Sequence, residues 1–148
     1  GVVIGGKGFG FTLKQKIEIR HIGNVKIGNN VEIGSNTTID KGTIHSTIID
    51  DNCRIDNLVQ IAHNVEIGQN TIIAAQTGIA GSTKIGKNCI MAGQVAVSGH
   101  LNIGNNVIIA GKSGVTKNIE NNMTVAGFPA IEIKKWKKSI IRQYKGIK

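Results

Sequence analysis

An aliphatic side chain recurs at every sixth position through most of the chain. From Ile49 to Val115 this spacing covers twelve positions, of which nine are Ile, two are Val and one is Met91. The same spacing links Ile27, Ile33 and Ile39, after which the segment "TIHSTIID" shifts it by four residues. An α-helix would place apolar residues three and four apart, and a simple strand would alternate. A strict period of six therefore predicts a repeating unit of one short strand and one turn.

The residues around each aliphatic position predict how these units close into coils. A small side chain lies two residues before most of them, and Gly or Asn recurs at the turns, where left-handed backbone angles cost these residues least. Three six-residue sides close one triangular coil of 18 residues. We therefore predict an all-β solenoid, a parallel β-helix of five to six coils, over residues 1–128. A short loop is expected to leave the column where the spacing shifts.

The two cysteines fit this pattern. Cys53 and Cys89 both occupy the small inward position, and they lie 36 residues apart, which is two coils. Because neighbouring strands are separated by about 4.8 Å, two coils exceed the reach of a disulfide. We predict free, buried thiols.

The apolar spacing changes after Pro129. Ile133, Trp136, Ile140 and Tyr144 recur at intervals of three and four, which predicts an amphipathic helix within a basic tail, residues 129–148. We expect the helix to cover the open end of the solenoid and its outer face to attract an acidic partner. Seven of the 18 basic residues lie in this tail: Lys134, Lys135, Lys137, Lys138, Arg142, Lys145 and Lys148.

Composition and charge narrow the function classes. The formal charge of +9 favours acidic partners such as nucleic acid, an anionic membrane surface or an acidic carrier protein. Nucleic acid is disfavoured, because the basic residues concentrate in the tail without aromatic side chains on which bases could stack. No apolar run approaches the ~18 residues of a membrane span, so we expect no transmembrane segment and a cytoplasmic location. The chain opens within the pattern and without Met, so we expect the natural protein to continue upstream.

Several phrases carry a resemblance to a known family. The six-residue pattern is similar to that of the hexapeptide-repeat acyltransferases, whose fold is a left-handed parallel β-helix. The phrases "IGNNVEIGSNTTIDKG", "IDNLVQIAHNVEIGQNT", "IAGSTKIG" and "VSGHLNIG" resemble the UDP-3-O-acylglucosamine N-acyltransferases of lipid A biosynthesis. The resemblance covers roughly residues 4–138. It differs from the family in two respects: the N-terminal domain that holds uridine is absent from these 148 residues, and Lys7 stands where the family usually carries Asp.

The resemblance implies a reaction. The family transfers a 3-hydroxyacyl group from the phosphopantetheine arm of acyl carrier protein to the 2-amine of a UDP-3-O-acylglucosamine. It implies a homotrimer with active sites in the grooves between neighbouring β-helices, and neither a metal nor a permanently bound cofactor. The attacking amine must lose a proton, and an imidazole, with an ordinary pKa near ~6.5, suits that task.

The pattern places four candidate site residues. His63, in "QIAHNV", lies outward at a corner, and the resemblance implies that it is the general base. Gly81 is one coil further on, where its amide could stabilise the oxyanion of a tetrahedral intermediate. His100 follows His63 by two coils and one residue, and the resemblance implies substrate binding. Asn57, in "IDN", is a second substrate-binding candidate. The two remaining histidines are expected to be surface residues: His21 and His45.

Two other functions are compatible with this scaffold. One is a metal enzyme similar to the γ-class carbonic anhydrases, in which His63 and His100 would join an imidazole from a neighbouring subunit around one zinc ion. The paired histidines of that class are absent here. The other is a truncated, trimerising module that cannot hold uridine and does not catalyse a reaction.

Overall fold

The chain folds into a coil of short strands followed by one helix. The computed structural model describes residues 1–145, in which it contains eighteen strands and the helix α1 (Ile133–Lys145). In chain order the strands are β1 (Val3–Gly6), β2 (Val25–Ile27), β3 (Glu32–Ile33), β4 (Thr38–Asp40), β5 (Thr47–Ile49), β6 (Arg54–Ile55), β7 (Gln60–Ile61), β8 (Glu66–Ile67), β9 (Ile72–Ile73), β10 (Gly78–Ile79), β11 (Lys84–Ile85), β12 (Ile90–Met91), β13 (Ala96–Val97), β14 (Asn102–Ile103), β15 (Ile108–Ile109), β16 (Gly114–Val115), β17 (Thr124–Ala126) and β18 (Ile131–Glu132).

Most strands pair with the strand three places later in the chain, so the strands form three sheets around one axis. The first sheet has the order β1-β4-β7-β10-β13-β16, the second β2-β5-β8-β11-β14, and the third β3-β6-β9-β12-β15-β17-β18. Pairing is parallel except between β17 and β18. In the first sheet, Ile61 pairs with Ile79 and Ile79 with Val97, so each coil consists of three repeat units. The parallel β-helix of about six coils predicted from the sequence is confirmed.

Two insertions interrupt this regular step near the N-terminal end. Ile39 pairs with Ile61, because the short loop (residues 41–46) lengthens the coil between them. Ile4 pairs with Ile39, because the N-terminal loop (residues 7–24) leaves the coil after β1 and lengthens it further. The sequence predicted the short loop. Both loops lie at the corner where the first sheet meets the second.

The interior of the coil is a column of branched side chains. The aliphatic residues at the six-residue period are buried from Ile39 to Val115, as is Val125, and most residues two positions earlier are buried with them. Leu101, Ile119 and Met123 are partly buried. Cys53 and Cys89 are free and buried as predicted, and burial raises the pKa of both thiols. Most of the buried threonines donate their hydroxyls to backbone carbonyls of the next coil, as Thr71 does to Gly86 at 3.0 Å. Within the described residues the core contains no aromatic rings, and it is filled by branched and small side chains that pack against those of the coils above and below.

The corners depart from one prediction. Left-handed backbone angles occur at the corners, and Asn adopts them as predicted, for example Asn64 (φ 59°). Other residues with side chains adopt them too, among them His100 (φ 60°). Among the described glycines, positive φ occurs at Gly5 and Gly127 alone, so the expectation that corner glycines adopt these angles is wrong. The role of several of them is close approach: a Cβ on Gly68 would lie 2.7 Å from the carbonyl carbon of Gly86 in the next coil.

The C-terminal tail forms a helix that contacts the last two strands, as the apolar spacing predicts, and its role in covering the open end stays a prediction. β18 turns back antiparallel to β17, and α1 follows with Ile133, Trp136 and Ile140 half-buried. The exposed lysines of the helix are Lys134, Lys135, Lys137 and Lys138. The Trp136 ring lies against Gly127, where a Cβ would be 2.5 Å from its Cδ1 atom. Residues 146–148 of the predicted tail, including Lys148, lie outside the described residues. The division of the chain after residue 128 stays a prediction. Within residues 1–145, no helix is long and apolar enough to cross a membrane.

Candidate active site

His63 and Gly81 stand side by side on neighbouring coils, as the length of one coil predicts. The Ser82 amide donates to the His63 carbonyl at 2.9 Å, which fixes the two corners together. A Cβ on Gly81 would lie 2.5 Å from Cε1 of His63 and 2.6 Å from Nε2. The Gly81 amide donates to no protein group within residues 1–145, whereas its carbonyl accepts from the His100 amide at 3.0 Å. The pair therefore combines a ring nitrogen with an unused N–H donor.

Asn64 orients the ring of His63. Its Oδ1 lies 3.2 Å from Nδ1 of His63 and also accepts the backbone N–H of Thr43 at 2.9 Å. Because an amide oxygen is an acceptor only, this contact requires the hydrogen of His63 on Nδ1. Nε2, the nitrogen nearest to Gly81, is then free to accept a proton. The sequence analysis missed Asn64, although it follows His63 directly.

His21 is the second residue that the sequence analysis missed. It was expected on the surface, and that expectation is wrong: its side chain is only 4% exposed. Its ring lies against that of His63, with centroids 5.0 Å apart and planes inclined by 62°. The N-terminal loop brings it there, and nothing periodic in the sequence could place it. His45, in the short loop, is exposed as expected.

A carboxylate lies on the N-terminal side of the pair. Asp40 ends β4, and its Oδ2 accepts from the Gln60 side chain at 2.9 Å. Burial raises the pKa of this carboxyl, against the hydrogen bond from Gln60 and the attraction of His63 and His21. The site therefore contains a partly desolvated acid close to two imidazoles.

The other two predicted residues lie at different positions. His100 is exposed at the same corner as His63, two coils further on. Asn57 lies at the preceding corner, between β6 and β7, where its Oδ1 accepts the Ser35 amide at 2.7 Å. Within one chain Asn57 is thus a turn residue at another corner from His63. The substrate-binding roles of both residues stay predictions.

Two surface depressions adjoin the imidazole pair. A cavity of about 450 Å³ opens under the N-terminal loop, between His21, His63 and the apolar side chains of Phe9, Phe11 and Leu13. A shallow groove runs along the outer face of the first sheet, from β7 toward the C-terminal end. The groove is lined by small side chains on successive strands of this sheet, and it ends at Phe128. The Phe128 ring occupies the space that a Cβ on Gly114 would need. The small residues of the groove are Ala62, Gly78, Ala80, Ala96, Ser98 and Gly114.

Lys7 takes part in the fold of the N-terminal loop. Its Nζ lies 2.6 Å from Oε1 of Glu18, and both side chains are well exposed. An exposed pair of this kind contributes about 1 kcal/mol or less. This ion pair joins the two arms of the N-terminal loop, and it does not involve His21 or His63. Within residues 1–145, no three His, Cys, Asp or Glu side chains converge as a metal site would require.

Comparison with known proteins finds similar sequences among acyltransferases. The model of the bacterial transferase hexapeptide family (six repeats) matches residues 46–81, which include His63 and Gly81. A UDP-3-O-acylglucosamine N-acyltransferase from Rickettsia conorii is 58% identical over 143 residues, which are 95% of this chain and 41% of that protein. The protein of the same name from Rickettsia akari is 55% identical over 138 residues, 92% of this chain and 40% of that protein.

The predicted resemblance is confirmed. The chain is similar to UDP-3-O-acylglucosamine N-acyltransferases along nearly its whole length, and it spans about 40% of the length of these relatives.

Solved structures of related acyltransferases share the fold. The UDP-N-acetylglucosamine O-acyltransferase of Moraxella catarrhalis superposes with a TM-score of 0.80 at 27% identity, over 88% of this chain and 50% of that one. The Arabidopsis UDP-N-acetylglucosamine acyltransferase gives 0.76 at 32% identity, over 85% and 43%.

Proposed function

We propose that the chain is the catalytic β-helix of an N-acyltransferase, which moves a 3-hydroxyacyl group from a carrier-bound thioester to the 2-amine of UDP-3-O-acylglucosamine. The observation that carries this proposal is the contact between the His63 ring and Gly81, beside an amide that has no protein acceptor among the described residues. The named relatives supply the substrate class.

In the proposed mechanism His63 is the general base. As the amine nitrogen attacks the thioester carbonyl, Nε2 of His63 takes one proton from it, and the Gly81 N–H donates to the developing oxyanion. The tetrahedral intermediate collapses with cleavage of the carbon–sulfur bond. The proton on Nε2 then passes to the leaving thiolate, which regenerates neutral His63 and releases a thiol and an amide. The thioester is already activated, so the step needs no covalent enzyme intermediate.

The donor arm has a candidate path. The groove on the first sheet is lined by small side chains and begins beside His63, so an extended pantetheine arm could lie along the coils there. His100 lies at the corner above Gly81, and we propose that it contacts the arm or the acyl group. We further propose that Asn57 contacts substrate from the next corner, in a groove shared with a neighbouring subunit.

A homotrimer is part of the proposal. Ile72, Ile90 and Ile108 stack in register on the outer face of the third sheet, each more than two-fifths exposed. A continuous apolar stripe of this kind is typical of an interface. The second sheet carries polar or charged side chains at the corresponding outward positions of three strands, among them Lys84 and Asn102. The third sheet is therefore the face expected to contact another copy of the chain.

Acyl carrier protein is the proposed donor, because α1 presents exposed lysines on the side away from the coil. If acidic carrier is attracted electrostatically, kcat/KM with carrier-bound donor should fall steeply as salt is added. A rate independent of salt would argue against that role for α1. The cytoplasmic location remains a prediction.

The function is tested with the chain, UDP-3-O-acylglucosamine and 3-hydroxyacyl carrier protein, with the N-acylated product measured by mass spectrometry. We expect His63→Ala to abolish turnover and to leave the circular dichroism spectrum unchanged. His45→Ala, an exposed histidine of the short loop, is the matched control and should keep full activity. Substantial turnover by His63→Ala would exclude the proposed base.

The alternative, a trimerising module without catalysis, is separated by substrate binding. The chain covers about 40% of its named relatives, so binding of the sugar nucleotide has to be measured on the chain itself. Calorimetry with UDP-3-O-acylglucosamine should show saturable heat if the proposed function is correct. Absence of both binding and turnover would favour the non-catalytic module.

A further inference from the structure

His21 is buried in the N-terminal loop, whereas most apolar side chains of that loop are exposed. Phe9 and Leu13, in the same N-terminal loop, are 85% and 89% exposed, whereas His21 is 4% exposed. Its Nδ1 donates to the Ile19 carbonyl at 2.8 Å, which leaves Nε2 as an acceptor. Nε2 is buried and has no hydrogen-bond partner within the described part of the chain. Because a buried polar atom is rarely left unpaired, its placement requires an explanation.

The N-terminal loop closes around this ring. A Cβ on Gly8 would lie 2.7 Å from Nε2 of His21 and 3.0 Å from Cβ of His63, and a Cβ on Gly10 would lie 2.9 Å from Cε1 of His21. Neither glycine has a positive φ, so space is the reason for both. The phrase "GKGFGF" thus allows the loop backbone to cover one imidazole and to reach the second.

His63 is restrained mainly by packing. Its one hydrogen bond to a protein side chain within residues 1–145 is the 3.2 Å contact with Asn64, which is at the long end of the normal range. Gly81 lies against one part of the ring, and His21 packs against it edge to face. Removing His21 would leave the ring free to turn about its side-chain bonds into the space beneath the N-terminal loop.

We infer that His21 is a positioning residue, which holds the imidazole of His63 in the orientation that base catalysis needs. This inference rests on the proposed function for its catalytic consequence. The unpaired Nε2 follows from the packing: the loop backbone at Gly8 covers the ring in place of a polar partner. His21 does not touch substrate in this arrangement, since its free nitrogen is shielded by Gly8.

The test compares His21→Ala with His21→Phe, which keeps a flat ring between Gly8 and His63 but loses the hydrogen bond to Ile19. His45→Ala is the control. In the chain without substrate, ¹⁵N-labelled imidazole spectra report the tautomer of His63. We expect the Nδ1–H tautomer in the wild type and in His21→Phe, and a mixture of tautomers in His21→Ala. We also expect His21→Ala to lower kcat about 10- to 100-fold with KM changed less than about threefold, and His21→Phe to restore most of the loss.

The outcomes are distinguishable. Wild-type kcat together with wild-type His63 resonances in His21→Ala would overturn the inference, and so would equal losses in both variants with His63 resonances unchanged. If the wild-type chain transfers no acyl group, the proposed function fails, but the His63 tautomer still decides whether His21 positions the ring. If His21→Ala does not fold, His21→Phe decides: a wild-type His63 spectrum supports the inference, and an altered spectrum contradicts it.

Discussion

The imidazole of His63 occupies the space that any side chain at Gly81 would need. A Cβ there would lie 2.5 Å from the ring, closer than real Cβ atoms approach other atoms, and the backbone at Gly81 does not have a positive φ. Gly81 is therefore required by space and not by backbone conformation. The same bare backbone leaves the amide open to a reacting carbonyl.

Replacing Gly81 with Ala should displace the His63 ring without disturbing the coil. We expect kcat to fall about 100-fold or more, because a shift of about 1 Å in a catalytic group has an effect of that size. Gly93→Ala is the matched control: it lies at an equivalent place on another corner, where a Cβ would be at an ordinary 3.5 Å from the Ala75 carbonyl oxygen. Equal activity of the two variants in the mass-spectrometric assay would show that the contact is unimportant.

Asn64→Gly should release the ring of His63 from its hydrogen bond. Glycine accepts the φ of 59° at this position, so the variant removes the side-chain oxygen with little backbone penalty. We expect kcat to fall about 10-fold. Asn70→Gly is the control, since Asn70 has the same φ at the next corner and its side chain bonds only to the Asn88 side chain among the described residues. If Asn64→Gly remained as active as Asn70→Gly, Asn64 would not be the orienting group.

The repeat could be predicted from the sequence because every coil obeys the same rule. A period of six fixes the inward column, and stacking of one coil on the next then places position 81 beside position 63 without any knowledge of side-chain contacts. The buried position of Cys53 and Cys89 follows from the same rule.

The positions of His21 and Asn64 could not be predicted from the repeat, because both depend on loops that do not repeat. His21 reaches His63 through the long N-terminal loop, and no periodic pattern reports where such a loop folds. Asn64 orients the ring because the short loop places the Thr43 amide against its Oδ1. The glycines were assigned the wrong role because their frequency at corners suggested backbone conformation, whereas Asn takes the left-handed angles and Gly allows coils to approach.

Asp40 should make the fold less stable as pH rises through the acidic range. Burial raises the pKa of its carboxyl above the ordinary value of 3.8, so the folded chain binds this proton more tightly than the unfolded chain. The free energy of unfolding therefore falls between the unfolded and folded pKa values as pH increases. Asp40→Asn should resist thermal unfolding better than wild type at neutral pH and lose that advantage below pH 3.8.

Melting curves followed by circular dichroism at the two pH values measure this difference. Asp50→Asn, at an exposed position, controls for the loss of one negative charge. An advantage of Asp40→Asn that is the same at both pH values would mean that proton binding by Asp40 is not its cause.

Ile90→Lys should weaken association of the chain with itself. Ile90 is 44% exposed at the centre of the apolar stripe, between Ile72 and Ile108, and a buried lysine there would leave an unpaired charge in the interface. We expect sedimentation velocity to show a trimer for the wild type and a smaller species for the variant. Asn102→Lys adds the same charge at an outward position of the second sheet and should remain trimeric. Identical masses for both variants would locate the interface elsewhere.

The lengthened coil between Ile39 and Ile61 has a consequence for where chemistry can occur on such a scaffold. Perfect periodicity would give each lap an identical rim, and no lap would be distinguished as the place of reaction. The short loop and the longer N-terminal loop both lie at one corner, and they make that corner different from every other corner of the coil. In a solenoid of this kind an insertion into the repeat can therefore determine where a reaction takes place. Evolution can then relocate a reaction by moving an insertion, without redesigning the column of strands.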